Sequence, residues 1–198
     1  SVCRGLEHCG AAVTVTADPE AILSAPRVVL PGVGAFADGM AGLRRLGLDA
    51  VVREVAVRGT PLLGICLGMQ MLLDESEEFG VTAGLGLIPG QVVSVPSNTI
   101  DDHPQKIPHI GWSALHSSNT SVGWRETLLQ DNRPGEAVYF VHSFMSVLTD
   151  PAHRIADCLY GGHKIAATIA RDRITGCQFH PEKSGEVGLK ILRRFVLN

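Results

Sequence analysis

The sequence predicts an α/β fold: a doubly wound, mostly parallel sheet with helices on both faces and an antiparallel β extension. Three observations carry that prediction. Short apolar strands alternate with amphipathic helices up to residue 78, the pattern of a parallel sheet covered on both sides. At Gly64-Ile65-Cys66-Leu67-Gly68 an apolar run breaks directly into a helix, leaving a cysteine at the carboxyl end of a strand. From Gly84 onward the pattern turns β-rich, with Gly161-Gly162 placed as a hairpin turn.

Residues 1–10 read as a helix, apolar at positions 2, 3, 6 and 9 near one face and stopped by Gly10. Residues 12–16 alternate as a strand. Asp18 is placed to cap a short helix over 19–24, with proline at the first helical position. Residues 27–31 form a buried strand that runs into the glycine loop Gly32-Val33-Gly34-Ala35-Phe36. One or two amphipathic helices fill 37–58, and the strand before the cysteine covers 61–65. The helix after Cys66 ends in the acidic, solvated run Asp74-Glu75-Ser76-Glu77-Glu78. A β-rich stretch spans 86–95 and a polar loop 96–106. Strands follow at 136–142, 153–160, 163–170 and 173–179, and a helix over 184–197 closes the fold. With 198 residues and no internal repeat, one domain over 1–198 is expected.

Composition excludes several function classes. Apolar residues make up 45% and charged residues 19%, as in an ordinary soluble globular protein. The net charge of −3 argues against nucleic acid or an anionic membrane as the main partner. No apolar stretch approaches the roughly 20 residues of a membrane span. The five cysteines, at 3, 9, 66, 158 and 177, show no CxxC spacing. An odd, scattered set suits a reducing cytosol better than a disulfide scaffold or a zinc site. The eight histidines likewise lack metal-ligand spacing, so no metal and no cofactor are expected.

The chemistry is carried by two distant windows. Around Cys66 the flanking glycines permit a cramped strand-to-helix turn that holds the sulfur over the start of the helix, a nucleophile elbow with cysteine in place of serine. A helix start lowers a thiol pKa and offers N–H groups to an oxyanion. Taken alone, the window equally fits a buried structural cysteine. The second window is Gln178-Phe179-His180-Pro181-Glu182-Lys183-Ser184. Pro181 favours extended backbone before it, so His180 and Glu182 are expected on one side. A carboxylate beside an imidazole fixes its tautomer and stabilises the imidazolium. Alone, His-Pro-Glu also fits a surface turn. Together the windows read as a Cys–His–Glu triad.

With these residues the chain resembles the class I (triad) glutamine amidotransferases. Five windows in order also resemble one branch, the glutaminase subunit of imidazole glycerol phosphate synthase. They are Leu30-Pro31-Gly32-Val33-Gly34-Ala35-Phe36, Gly64-Ile65-Cys66-Leu67-Gly68-Met69-Gln70, Pro108-His109-Ile110-Gly111-Trp112, Tyr139-Phe140-Val141-His142-Ser143-Phe144 and Phe179-His180-Pro181-Glu182-Lys183-Ser184. The resemblance implies that Cys66 attacks the glutamine carboxamide, His180 shuttles protons and Glu182 orients His180. It implies an oxyanion hole from Leu67 and Val33, the latter on a peptide that turns between two glycines. Gly34, Gln70, Ser143 and Phe144 match positions that hold glutamine; Phe144 stands where relatives more often carry tyrosine. His142 reads as a satisfied, partly buried imidazole at a strand end. Ammonia is expected to pass to a (β/α)8 cyclase partner in a heterodimer of the cytoplasm, serving histidine biosynthesis. Trp112, Tyr139 and Lys183 match its interface.

One departure is expected to matter. The branch usually begins with an apolar strand and a glycine-rich loop before the helix that matches residues 1–10. That N-terminal strand is missing here, so a shortened sheet with unpaired backbone is expected. Three rival readings remain: a glutaminase serving another pathway, a cysteine hydrolase acting on γ-glutamyl or peptide bonds, and an inactive binding subunit.

Overall fold

The computed structural model describes residues 1–118 and 123–197. In chain order the helices are α1 (Val2–His8), α2 (Pro19–Ser24), α3 (Phe36–Arg45), α4 (Leu48–Val57), α5 (Leu67–Met71) and α6 (Gly185–Leu197). The strands are β1 (Val28–Gly32), β2 (Leu62–Cys66), β3 (Glu75–Ser76), β4 (Thr82–Ala83), β5 (Gly90–Ser94), β6 (His109–Ala114), β7 (His116–Ser117), β8 (Ala137–His142), β9 (Phe144–Leu148), β10 (Arg154–Tyr160), β11 (His163–Arg171) and β12 (Ile174–Cys177).

The main sheet runs β1-β2-β12-β11-β10-β7. β2 lies between β1 and β12 and is parallel to both, while β12-β11, β11-β10 and β10-β7 are antiparallel. A parallel core of three strands therefore continues into the antiparallel extension. Successive side chains on a strand point to opposite faces, and the core divides accordingly. Leu63, Ile65 and Cys177 pack with Leu6 of α1 and with Ile191, Leu192 and Phe195 of α6. Leu62, Ile169 and Ile174 pack with Phe36 and Met40 of α3 and Val52 and Val55 of α4. The helices thus cover both faces of the sheet.

Local chemistry explains several boundaries. Asp18 accepts a hydrogen bond from the Glu20 N–H at 3.2 Å and caps α2, whose first residue is proline. Gly161 and Gly162 sit at φ 56° and 83°, the left-handed pair that a tight β10–β11 hairpin demands. Residues 12–16 depart from expectation: they form no strand, and Val15 is exposed. Alternation alone does not make a strand; it must pair with a neighbour, and residues 12–16 do not join the open edge of β1, which pairs only with β2 among the described residues. β6 and β9 were not expected. They complete smaller sheets, β6 with β8 and β9 with β5.

Candidate active site

Cys66 ends β2 and immediately precedes α5. Its φ of 54° with ψ of −109° is a conformation that side chains rarely adopt, so the surroundings must hold it there. The close packing is made by two glycines. A Cβ on Gly68 would lie 1.8 Å from the Leu30 carbonyl oxygen, and one on Gly64 would lie 2.8 Å from the Gly68 backbone. Only glycine lets α5 start this close to β1 and β2. The turn leaves Leu67 as the first helical residue, where a backbone N–H has no partner inside the helix.

His180 follows β12 and reaches the same place. The expected extended stretch is instead a 3₁₀ turn over Pro181–Lys183, because proline fits the first turn of a helix as well as a strand end. The turn still brings the two side chains together: His180 Nδ1 and Glu182 Oε1 are 2.9 Å apart, and both side chains are under a tenth exposed. The backbone is stitched in place by the His180 N–H on the Tyr139 carbonyl at 2.9 Å. The Ser184 hydroxyl donates to the His180 carbonyl at 2.7 Å and accepts the Tyr139 N–H.

Electrostatics follow from this packing. Cys66 and then Glu182 raise His180 to about 9, against the opposing effect of burial. Burial disfavours the Glu182 carboxylate, but His180, its own backbone N–H and Lys183 outweigh it and hold the pKa below the usual range. Among the described residues no partner reaches His180 Nε2 in hydrogen-bonding geometry. The ring stands near enough to Cys66 for the sulfur to favour its protonated form without a closed bond. The sulfur itself donates weakly to the Val141 carbonyl and accepts from Gln178 Nε2, both at 3.9 Å. Desolvation pushes Cys158 and Cys177 up to about 12, so burial makes them poor nucleophiles.

A cleft of about 320 Å³ opens over Cys66 and His180 and is also lined by Val33, Gly34, Leu67, Gln70, Ser143 and Phe144. Every residue expected for the oxyanion hole or for glutamine therefore lies on this one cleft. A second cleft, about 340 Å³ around Pro61, Thr168 and Arg173, sits at the opposite ends of the parallel strands and is lined by neither cysteine nor histidine. Gln70 Nε2 donates to the Phe144 carbonyl at 3.1 Å and to Gln178 Oε1 at 3.0 Å, which directs the amide of Gln70 within the cleft. Trp112, Tyr139 and Lys183 gather just outside. The Trp112 and Tyr139 rings meet edge-on at 6.0 Å, and Lys183 Nζ lies 5.9 Å from the Tyr139 ring centre.

Three groups lining the cleft or bonded to its lining were not singled out from sequence. Glu78 belongs to the run read as a solvated helix end, yet it lines the cleft and its Oε2 accepts the Phe36 N–H at 2.7 Å. Gln178 joins Gln70 to Cys66, and His109 backs His142; both depend on strands brought together only by the fold. Among the described residues no helix is long and apolar enough to cross a membrane.

Comparison with known proteins agrees with this geometry. The family model described as glutamine amidotransferase class-I matches residues 1–198. The chain is 52% identical over 196 residues to imidazole glycerol phosphate synthase subunit HisH 1 of Legionella pneumophila (strain Lens), covering 99% of this chain and 92% of the relative. It is 48% identical to the HisH subunit of Chloroflexus aurantiacus over 196 residues, 99% of this chain and 89% of the relative. Among solved structures, a glutamine amidotransferase superposes with a TM-score of 0.69 at 16% identity, over 98% of this chain and 92% of that one. The glutaminase domain of Trypanosoma brucei CTPS, solved with acivicin, gives 0.63 at 13% identity, over 100% and 87%. These two structures bear on the fold alone. The elbow cysteine, the His–Glu pair and the full-length family match lead to one conclusion: the chain belongs to the class-I glutamine amidotransferases.

Proposed function

We propose that this protein is the glutamine-hydrolysing subunit of imidazole glycerol phosphate synthase, acting in histidine biosynthesis. The observation that carries the reading is Cys66 and His180 lining one cleft, with Glu182 paired to His180, in a chain about half identical to HisH subunits. The Cys66 thiolate adds to the carboxamide carbon of glutamine, and the oxygen becomes an oxyanion facing the N–H groups of Leu67 and Val33. The His180 imidazolium gives its proton to the amide nitrogen, the C–N bond breaks, and ammonia leaves a γ-glutamyl thioester. His180 then takes a proton from water, hydroxide attacks the thioester, the C–S bond breaks, and glutamate departs with its carboxyl proton lost to solvent, restoring the Cys66 thiolate beside the His180 imidazolium. Glu182 holds the imidazole tautomer and stabilises its charged form. Gly34, Gln70, Ser143 and Phe144 hold the amino-acid end of the substrate, where the Glu78 carboxylate also suits an ammonium group.

Ammonia then passes to a (β/α)8 cyclase subunit, which forms imidazole glycerol phosphate and an aminoimidazole carboxamide ribotide. The partner face is supported by the Trp112–Tyr139–Lys183 cluster and by Ile110 and Trp112, more than half exposed on β6. The setting is a heterodimer in the cytoplasm, with residues 1–198 acting as one amidotransferase domain. In the assembled complex, Cys66→Ala is expected to lower glutamine-dependent synthesis by at least ~10³-fold while added ammonium still supports it. Retained glutamine use, or failure of ammonium to rescue, contradicts the proposed division of labour.

A further inference from the structure

Behind the glutamine-facing edge of the cleft lies a pair of buried histidines that the triad chemistry does not use. His109 begins β6 and His142 ends β8, and the strand register places them directly opposite one another. Their rings are bonded through His109 Nδ1 and His142 Nε2 at 2.9 Å. His142 Nδ1 is 2.8 Å from the Phe144 carbonyl oxygen, and His109 Nε2 is 3.0 Å from the Ser113 hydroxyl. His109 is clamped between two aromatic rings, Phe140 at 5.0 Å and Tyr160 at 4.1 Å, both nearly parallel to it.

The direction of every bond follows from its end. A carbonyl only accepts, so His142 Nδ1 carries the proton. In a neutral ring Nε2 then accepts, which requires Nδ1–H on His109 and leaves His109 Nε2 to accept from Ser113. Burial keeps both rings neutral, and His180 adds to the effect on His142. The chain Ser113–His109–His142–Phe144 therefore has one polarity at neutral pH.

Its terminus is the carbonyl on which Gln70 rests. The Phe144 oxygen takes one hydrogen from His142 and one from Gln70, filling both lone pairs. With Nε2 of Gln70 anchored there and on Gln178, its Oε1 is the atom left for a ligand. Ser143, the residue between His142 and Phe144, lines the same cleft and has its own carbonyl fixed by the Val95 N–H at 2.9 Å.

We propose that His109 and His142 are positioning residues for glutamine: the relay from Ser113 sets the Phe144 carbonyl and, through it, the acceptor face of Gln70. This rests on the glutaminase reading above. Its effect falls on substrate binding more than on the chemical step, because the hydrogen bonds of the two rings run to each other, Ser113 and Phe144 and not to Cys66, His180 or Glu182.

The test uses the assembled complex with the cyclase. His142→Leu removes both bonds, whereas His142→Asn keeps an amide N–H near the place of Nδ1 and can still donate to Phe144. The glutamine KM of His142→Leu is expected to rise about tenfold with kcat within about threefold of the parent, and His142→Asn to recover KM to within about threefold. Ser113→Ala, which removes only the far end of the relay, should raise KM about two- to fourfold. An unchanged KM in His142→Leu, equal damage in the Asn and Leu variants, or a loss confined to kcat overturns the proposal. Should His142→Leu fail to elute with the cyclase, His142→Asn and Ser113→Ala decide, and unaltered KM in Ser113→Ala overturns it. If the parent complex itself releases no ammonia from glutamine, the glutaminase reading fails instead.

Discussion

The two walls of the cleft start at the ends of neighbouring strands, yet they are built on opposite principles. The wall carrying Cys66 and His180 is packed to contact: Gly68 touches the Leu30 carbonyl, and the His180–Glu182 pair is buried and bonded. The wall carrying Val33 and Gly34 stands in open space. Val33 is 81% exposed, Gly34 has a φ of +95°, and nothing lies within 4 Å of where a Cβ on Gly34 would sit. Cys66 and His180 are therefore held by packing within the chain, whereas Val33, proposed above as the second oxyanion donor, has no such packing around it. On the mechanism proposed above, Cys66 and the Leu67 N–H are set in advance and only the Val33 donor lacks fixed surroundings.

The largest expected break in this contrast is chemical. Glu182→Gln keeps the shape of the packed wall but removes the charge that holds the imidazolium, and glutamine turnover is expected to fall about 10²- to 10⁴-fold. Steady-state ammonia release checks it; a loss under about tenfold places the orienting charge elsewhere.

A matched pair of alanines sharpens the comparison through stability. Gly68→Ala forces a Cβ onto a backbone carbonyl and is expected to cost about 3 kcal/mol or more. Gly34→Ala meets no atom and suffers only its positive φ, costing about 1 kcal/mol. Denaturant melts of the two variants test this, and equal losses would show that the two walls are equally constrained.

Two histidines of the same cleft give a smaller effect with opposite signs. His180 is raised from 6.5 to about 9, so its stabilising contribution is complete below pH 6.5 and is lost as pH rises toward 9. His142 is lowered from 6.5 to about 4, chiefly by burial. Between those values the unfolded chain binds the proton and the folded one does not, so stability falls as pH drops from 6.5 to 4. Thermal melts from pH 4 to 9 are expected to peak near 6.5. His142→Asn should flatten the acid limb and Glu182→Gln the alkaline one. Limbs unchanged in both variants would remove these groups from the linkage.

The parts legible in the sequence are those that local chemistry decides. The elbow could be read because glycines flank a cysteine where an apolar run turns helical, and α2 because Asp18 and Pro19 mark its start. The proposed triad was legible as two windows whose residue types complement each other, and the structure sets Cys66 and His180 on one cleft with Glu182 paired to His180. What escaped depends on partners distant in the chain. Residues 12–16 have the alternation of a strand but pair with no strand among the described residues. β6 is interrupted by Gly111 and exposes Ile110 and Trp112, so its pairing with β8 leaves little periodic trace. Glu78 sits in an acidic run typical of solvent, and only the fold turns it toward the Phe36 N–H. The His109–His142 pair joins residues 33 apart through strand register alone.

The most direct measurement is mass spectrometry of the assembled complex after brief exposure to a γ-electrophilic glutamine analogue, with a His180→Asn variant in parallel. Covalent label on Cys66 alone, slowed at least ~10²-fold by the His180 substitution, is the expected result. Label on Cys3 or Cys9 at a comparable rate, or Cys66 left unmodified, would contradict a glutamine-specific nucleophile in this cleft.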